Sequence, residues 1–465
     1  MNFGGLLSIA RSGLAASQAQ ITTTSQNVTN AQTPGYSRQR TLLVPNYPER
    51  LPQGTFGTGV MIDGVERMRN ELLDATYRRD TQNASFHEER RDALQAVENV
   101  LGEPSSTGLA SSLEQFWSSW SDLSTNPDSS AAKNLVRQRG SQVASQLNAY
   151  GNQIADAQTV ARTRLIETAD RVNALSAQVA DINARIVAAE AAGNQSPDMR
   201  DQRDLKADEL ATLIGGTSYP QSDGSVHITV GGDTIVDGAN FKPVRVQALL
   251  SDPTKLGIAL GALPAGGNAT ETMYQIGGQL AGTLDAYNNV YPAAQTQLDG
   301  VASALVAATN AVHRTGFIGA TQAGNFFDST RTTARTIRLD STIVANVDNV
   351  AASGIPNESG DNTVALALSQ LRDVTTTVNG QTASINEGYR TVVASIATSV
   401  NSAGGLATAA RTLATLGDTR RESIKGVSVD EEMVNLIKYQ QSYAAAAKLI
   451  AVVDELSQTL LGLVR

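Results

Sequence analysis

The sequence predicts a mainly α-helical chain with a small inserted β domain, its terminal helices pairing as a coiled coil on either side of a long helical rod domain. Three observations predict it. Apolar residues recur at heptad spacing at both ends of the 465-residue chain, a proline-free helical run extends from Ser130 to about Ala192, and the period changes abruptly from helical to alternating at Gly215-Gly216.

At the N-terminus Leu7, Leu14, Ile21 and Val28 repeat every seven residues, with Phe3, Ala10, Ser17 and Thr24 interleaved. At the other end Met433, Leu436, Gln440, Tyr443, Ala447 and Ile450 keep the same rhythm, and Val453, Leu456, Leu460 and Leu463 continue it. Neither seam is strong, because Ala, Ser, Thr and Gln fill about half of it and bury little apolar area. Helices of this kind are marginal alone and ordered by partners. The contact residues expected from the pattern are Phe3, Leu7, Leu14, Ile21, Val28, Met433, Leu436, Tyr443, Ile450, Val453 and Leu460.

After the first helix comes the turn Asn30, Thr33, Pro34, Gly35, Tyr36, in which Pro34 stops the helix and Gly35 permits a positive φ. Residues 38–62 are rich in Thr, Val, Pro and Gly and read as extended. Helical periodicity returns from Arg67 to Leu101 and stops at Gly102 and Pro104; Ser111 to Leu123 is a short helix closed by Asn126-Pro127. The long run that follows is interrupted only by Gly140 and Gly151. About 50 residues at 1.5 Å each make a rod of roughly 75 Å. Val226, Ile228, Val230, Gly231-Gly232, Ile235 and Val236 then spell a β-hairpin, with strand-like residues reaching Leu263-Pro264. Helix resumes from Ile276 to His313, an irregular stretch spans Gly316 to Gly360, and helices run from Val364 to Leu416. The expected division is 1–35 with 430–465, then 36–215 with 276–429, then a β-rich insert over 216–275 that folds by itself.

Composition excludes several classes of function. The formal charge of −9, with Lys and Arg scattered among acids, leaves no basic stripe for nucleic acid. No run approaches the roughly 18 apolar residues of a membrane helix, and the start Met1-Asn2-Phe3-Gly4-Gly5 lacks a basic secretory signal, so no membrane partner is expected. With no cysteine, disulfides and thiolate chemistry are excluded.

Catalytic patterns are missing too. His87, His227 and His313 stand far apart, and His87-Glu88-Glu89-Arg90-Arg91 lacks the second histidine of a zinc motif. Gly54, Gly57 and Gly59 have the wrong spacing for a dinucleotide fingerprint. Asp223, Asp233 and Asp237 sit beside turn glycines rather than as a carboxylate pair in a cleft. Asp430-Glu431-Glu432 fits the first turn of the last helix, where negative charge offsets the helix dipole. Trp117 and Trp120, at i and i+3, face either a carbohydrate or partner platform or, more simply, the core. No catalytic residue, cofactor or metal site is expected.

The stretch from Ser25 to Tyr36 resembles the signature of bacterial flagellar axial proteins, the family of rod, hook and hook-associated subunits. Tyr36-Ser37-Arg38-Gln39 is similar to its hook-associated members, as are Gly426 to Met433 and Tyr439 to Ala445; weaker likenesses cover Gly277 to Asp285 and Gly324 to Phe327. The resemblance implies a non-enzymatic structural subunit at the junction of hook and filament, with the terminal coiled coil innermost and a β-rich outer domain. It also implies export through the flagellar type III channel to the cell exterior. The implied partners are the hook protein, a second hook-associated junction protein, copies of the chain itself in a ring, and a cytoplasmic export chaperone on the C-terminal helix. Larger members carry a further outer domain after the Phe-Phe stretch; here about 15 residues separate Phe327 from strand-like Val344, which implies that this domain is absent. A rod or hook subunit and a non-flagellar surface adhesin are the alternatives.

Overall fold

The computed structural model describes residues 3–51, 54–191, 193, 195–261 and 275–463. Helix α1 (Phe3–Asn30) leads into an extended arm. There β1 (Gln39–Pro45) pairs antiparallel with β4 (Val60–Arg67), and the tip strands β2 (Glu49–Leu51) and β3 (Gly54–Phe56) pair with each other. Asn70 caps α2 (Glu71–Leu101), its Oδ1 accepting from the Leu72 and Leu73 amides, and Gly102 closes it in the left-handed conformation. Helices α3 (Leu109–Thr125), α4 (Ser130–Glu190) and α5 (Pro197–Leu213) follow. The 61 residues of α4 make an uninterrupted rod of about 90 Å.

Strands β5 (Thr217–Pro220), β6 (Val226–Val230), β7 (Asp233–Asp237) and β8 (Asn240–Phe241) form an antiparallel meander beside the hairpin of β9 (Val244–Ala248) and β10 (Leu256–Leu260). The expected strand end at Leu263-Pro264 lies outside the described residues. Helix α6 (Gly278–Asp285) passes through a π-helical turn, Ala286–Val290, into α7 (Tyr291–His313). Short pieces then alternate: β11 (Phe317–Ile318), β12 (Thr321–Gln322), α8 (Ser341–Ala345), a 3₁₀ turn Val347–Asn349, α9 (Thr363–Gln370), and the hairpin of β13 (Thr376–Val378) and β14 (Gln381–Ala383). The chain ends with α10 (Ile385–Lys425) and α11 (Val429–Leu463).

One expectation fails locally. Val344, read as strand-like, lies in α8, because Asp340 caps a helical turn through the Thr342 amide. The excursion after Phe327 is tight, since Phe327 pairs with Leu339 across it in an isolated bridge.

Two large cores organise the body. The first gathers the end of α2, α3, the start of α4, α7, α9 and the start of α10 around Phe116, Trp117, Trp120, Phe326, Phe327 and Tyr389. Both tryptophans are core, not platform: they are at most 1% exposed, Trp117 donates its indole N–H to Asn386 Oδ1 at 3.0 Å, and the Trp120 and Phe326 rings meet at 5.3 Å. Gly140 does not interrupt α4. It makes room for the Phe326 ring, which a β-carbon there would meet at 2.7 Å.

The second core joins Leu165, Val172 and Val179 of α4 and Leu210 and Leu213 of α5 to Ile228, Ile235, Val236 and Ile258 of the sheet. Among the described residues the strands of the β insert thus share their core with α4 and α5. Strands this short leave an apolar face that only the neighbouring helices cover.

Helices α2 and α10 run antiparallel, as do α1 and α11. The helical stretch Ile385–Thr459 contains a window apolar and long enough by composition to cross a membrane, although it holds no unbroken apolar run of that length. Its α11 part lies against α1 here.

Candidate assembly interface

The pairing of α1 with α11 is built on small residues. Ala10, Ser17, Thr24 and Asn27 are buried along one stripe of α1, and a β-carbon at Gly13 would lie 3.9 Å from the Ala446 methyl. On α11 the buried residues are Glu432, Ala446 and Val453. The contact thus centres on the interleaved small positions of the N-terminal repeat, while Leu14, Ile21 and Val28 are half-buried beside it, as are Leu436 and Ile450 on α11. Leu7, Met433 and Tyr443 are exposed, at 44%, 44% and 37%. The side chains of Phe3 and Leu460 lie outside the described residues. Val434, Ile437, Leu449, Val452 and Leu456 are also exposed, so α11 is apolar on two faces and uses one of them within the chain.

The base of the pair is a polar lock. Asn30 and Thr33 close the helix, with Thr33 donating to Asn30 Oδ1 at 3.2 Å and its amide to the Asn30 carbonyl at 2.9 Å. Gly35 adopts φ +82°, and a β-carbon there would press on Leu205 of α5 at 3.2 Å. Pro34 is exposed and Tyr36 half-buried; the Tyr36 hydroxyl donates to Asn27 Oδ1 at 2.9 Å.

Asn27, 1% exposed, is the hub: its Oδ1 accepts the Gln39 amide, and its Nδ2 donates to the Gln39 carbonyl and to Glu432 Oε2, all at 2.9 Å. It mimics a strand partner for β1 while holding α11. Glu432 also receives Arg38, at 2.8 Å from Nε. The acidic first turn of α11 therefore does more than offset a dipole.

A second tier fastens this lock to the body. Asp201 of α5 accepts the Ser37 amide and hydroxyl at 2.8 and 2.7 Å, and Asp198 accepts Gln39 Nε2 at 2.8 Å. Arg67 bridges Asp201 and Asp204, Arg69 bridges Asp204 and Asp74, and Asp208 takes Arg78 and Arg421. Arg421 stacks its guanidinium 3.7 Å from the centre of the Tyr77 ring.

Burial alone would raise the Asp204 carboxyl, yet Arg67, Arg203, Arg69 and Arg78 hold it far below the ordinary range. The Tyr36 phenol is pushed up by burial and by Asp198, Asp201 and Glu432, so it stays a donor. Among the described residues no group of three His, Cys, Asp or Glu could hold a metal ion. The arrangement holds the two terminal helices and the arm in fixed positions.

Of the expected turn residues, Asn30, Thr33, Gly35 and Tyr36 make the contacts above. Asn27 and Gln39 lie inside the stretches that carry the resemblance but were given no role, and Arg67, Arg69, Asp198, Asp201 and Asp204 were not expected at the site. The available signal was the density of Asp and Arg between Asp198 and Asp208, within a helix whose hydrophobic periodicity is poor.

A family model described as the helical domain of flagellar hook-associated protein FlgK matches residues 94–327, and one described as the C-terminal segment of flagellar basal body rod FlgEFG proteins matches 423–463. The chain is 30% identical to flagellar hook-associated protein 1 of Bacillus subtilis, over 97% of this chain and 96% of that one. It is 26% identical to the protein of the same name from Salmonella typhimurium, over 67% of this chain and 57% of that one. Among solved structures, the flagellar hook junction protein FlgK from Burkholderia pseudomallei shares the fold, with a TM-score of 0.66 at 17% identity over 77% of this chain and 100% of that one.

Proposed function

The chain belongs to the flagellar hook-associated protein 1 family and is a structural subunit of the bacterial flagellum at the junction of hook and filament; we propose that it assembles there through the free face of its α1–α11 pair. The observation that carries this is the second apolar face of α11, which none of the described residues covers. An exposed row of Val, Ile and Leu on a helix is costly in water unless a neighbour removes it. In a ring of copies, the neighbouring subunit supplies that cover. The segment matching rod proteins, 423–463, contains all of α11, as an assembly element shared across axial subunits requires.

On this reading residues 1–35 and 430–465 form the inner layer, with Leu7, Met433 and Tyr443 meeting neighbours and Val453, Leu436 and Ile450 holding the pair together. The neighbours are copies of this chain, the hook protein and a second junction protein. Before export, a chaperone covers α11 in the cytoplasm, for the same reason that a neighbour covers it afterwards.

The test is replacement of Val434, Ile437 and Val452 by Asp in a strain that depends on this chain for its junction. All three side chains are exposed, so the purified variant should keep its circular dichroism and melting temperature, whereas filaments should fail to grow on hooks. Normal filaments on hooks, seen by electron microscopy, would overturn the assignment of this face.

A further inference from the structure

The two cores meet at a waist crossed by α2, α4, α6–α7 and α10. On α4 the change falls between Ala161, which packs in the first core, and Leu165, which packs in the second. On α6–α7 the π-helical turn Ala286–Val290 sits at this level, and Tyr287 packs partly against both cores while its carbonyl accepts Gln158 Nε2 at 3.0 Å. π-Turns mark places where a helix has been made irregular.

On α10 the same level carries Gly404-Gly405. A β-carbon at either glycine would meet no atom within 4 Å, so neither is there to let a neighbour approach. Two adjacent glycines in a helix interior weaken it relative to alanine and give nothing back in packing.

A groove of about 610 Å³ lies between α2, α7 and α10, lined by Leu94, Val290, Ala294, Ile396, Ala403 and Leu406 among others. The large side chains of α10 in the first core stop at Ile396 with Val400 beside it, and from there to Ala414 its buried residues are all alanines, Ala403, Ala407, Ala410 and Ala414, the last two packing against Ala84. Further along, Arg421 ties α10 firmly to Asp208 and Tyr77. The helix is thus anchored by large or charged side chains at both ends and held in the middle by alanines alone. Across the waist the links are largely polar: Glu89 with Arg164, Gln279 and Thr283, and Arg90 with Asp285.

We propose that the molecule flexes at this waist. Helix α10 bends at Gly404-Gly405 and the π-helical turn takes up the matching change along α6–α7. The half around the second core, with the polar lock and the terminal pair, then swings against the half around the first. A subunit built this way meets neighbours at more than one angle without repacking either core.

The chain has no cysteine, so two spin labels can be placed cleanly, at Ser145→Cys on the first half and Lys242→Cys on the second. Both positions are exposed. Pulsed electron resonance on the full-length protein should give a broad distance distribution that narrows when Gly404→Ala and Gly405→Ala are added. Alanine fits the open space at both positions, so the variant should fold. Amide exchange over 401–409 should slow by about tenfold in the double alanine variant. A single narrow distribution in the parent, or a broad one that the alanines leave unchanged, would overturn the proposal.

Discussion

His313 uses both ring nitrogens on backbone groups: Nδ1–H donates to the Gly324 carbonyl at 2.8 Å and Nε2 accepts the Ala351 amide at 3.1 Å. Only the neutral ring can do both, and burial lowers its pKa from 6.5 to about 4 despite the Gly324 bond and Asp340. Above pH 6.5 the ring is neutral folded and unfolded, and stability is complete. As pH falls from 6.5 to 4 the unfolded chain takes up a proton that the folded one refuses, so stability drops, by about 3 kcal/mol for this group; below 4 it loses no more. Urea midpoints between pH 7 and 4 should show this loss, and His313→Gln should have a shallower slope over the same window. Equal slopes would mean that other groups, such as His87, set it.

The histidine was legible as a residue without a metal motif, but its task was not, because its partners are carbonyl and amide groups of a loop that no pattern locates. Asn27 was missed for a similar reason. It lies three residues before the end of α1 and looks like any polar helical position, and its partners are far away in sequence, Glu432 above all.

At the scale of the helix, the heptad pattern located α1 and α11 to within a few residues and named their pairing, yet it favoured the large residues of the repeat. The structure puts Ala10, Gly13, Ser17 and Thr24 in the middle instead, since small side chains let two helices approach closely while Leu and Ile flank the contact. That distribution leaves little apolar area to hold the far ends of the pair. Most of its hold lies at the base, in Asn27, Arg38 and Glu432.

Amide exchange of the dilute monomer should therefore be graded: fast before about residue 20 and after about 440, and slow around 24–30 and 430–436. Uniform slow exchange along both helices would show that the pair is stable by itself. Asn27→Ala should erase the slow zone, at a cost of about 1–3 kcal/mol for the groups left unpaired.

At the scale of the whole molecule, the order of helical and β segments was legible from the change of period, but not how those segments share cores. Periodicity reports which face of an element is apolar, not what lies against it. The β segment looked separable because its glycines mark clear entry points, whereas Leu165, Val172, Val179, Leu210, Leu213 and Ile214 depend on it for cover. Replacing Thr217 to Leu260 with a Gly-Ser linker would expose these six side chains. At about 1.5–3 kcal/mol for each large one, the sum is comparable to the net stability of about 5–15 kcal/mol of an entire domain. The outer part of α4 and all of α5 should then unfold, taking with them Asp201 and Asp204, which fasten the terminal pair. The variant should lose helical circular dichroism although the described residues removed contain no helix, and should bind a hydrophobic dye. Deleting Met1 to Thr22, by contrast, spares the lock and both cores, so the main melting transition should stay in place while junctions fail to form. If the β deletion keeps its helical signal and melts as the parent does, the insert is separable and the second core does not hold the helices.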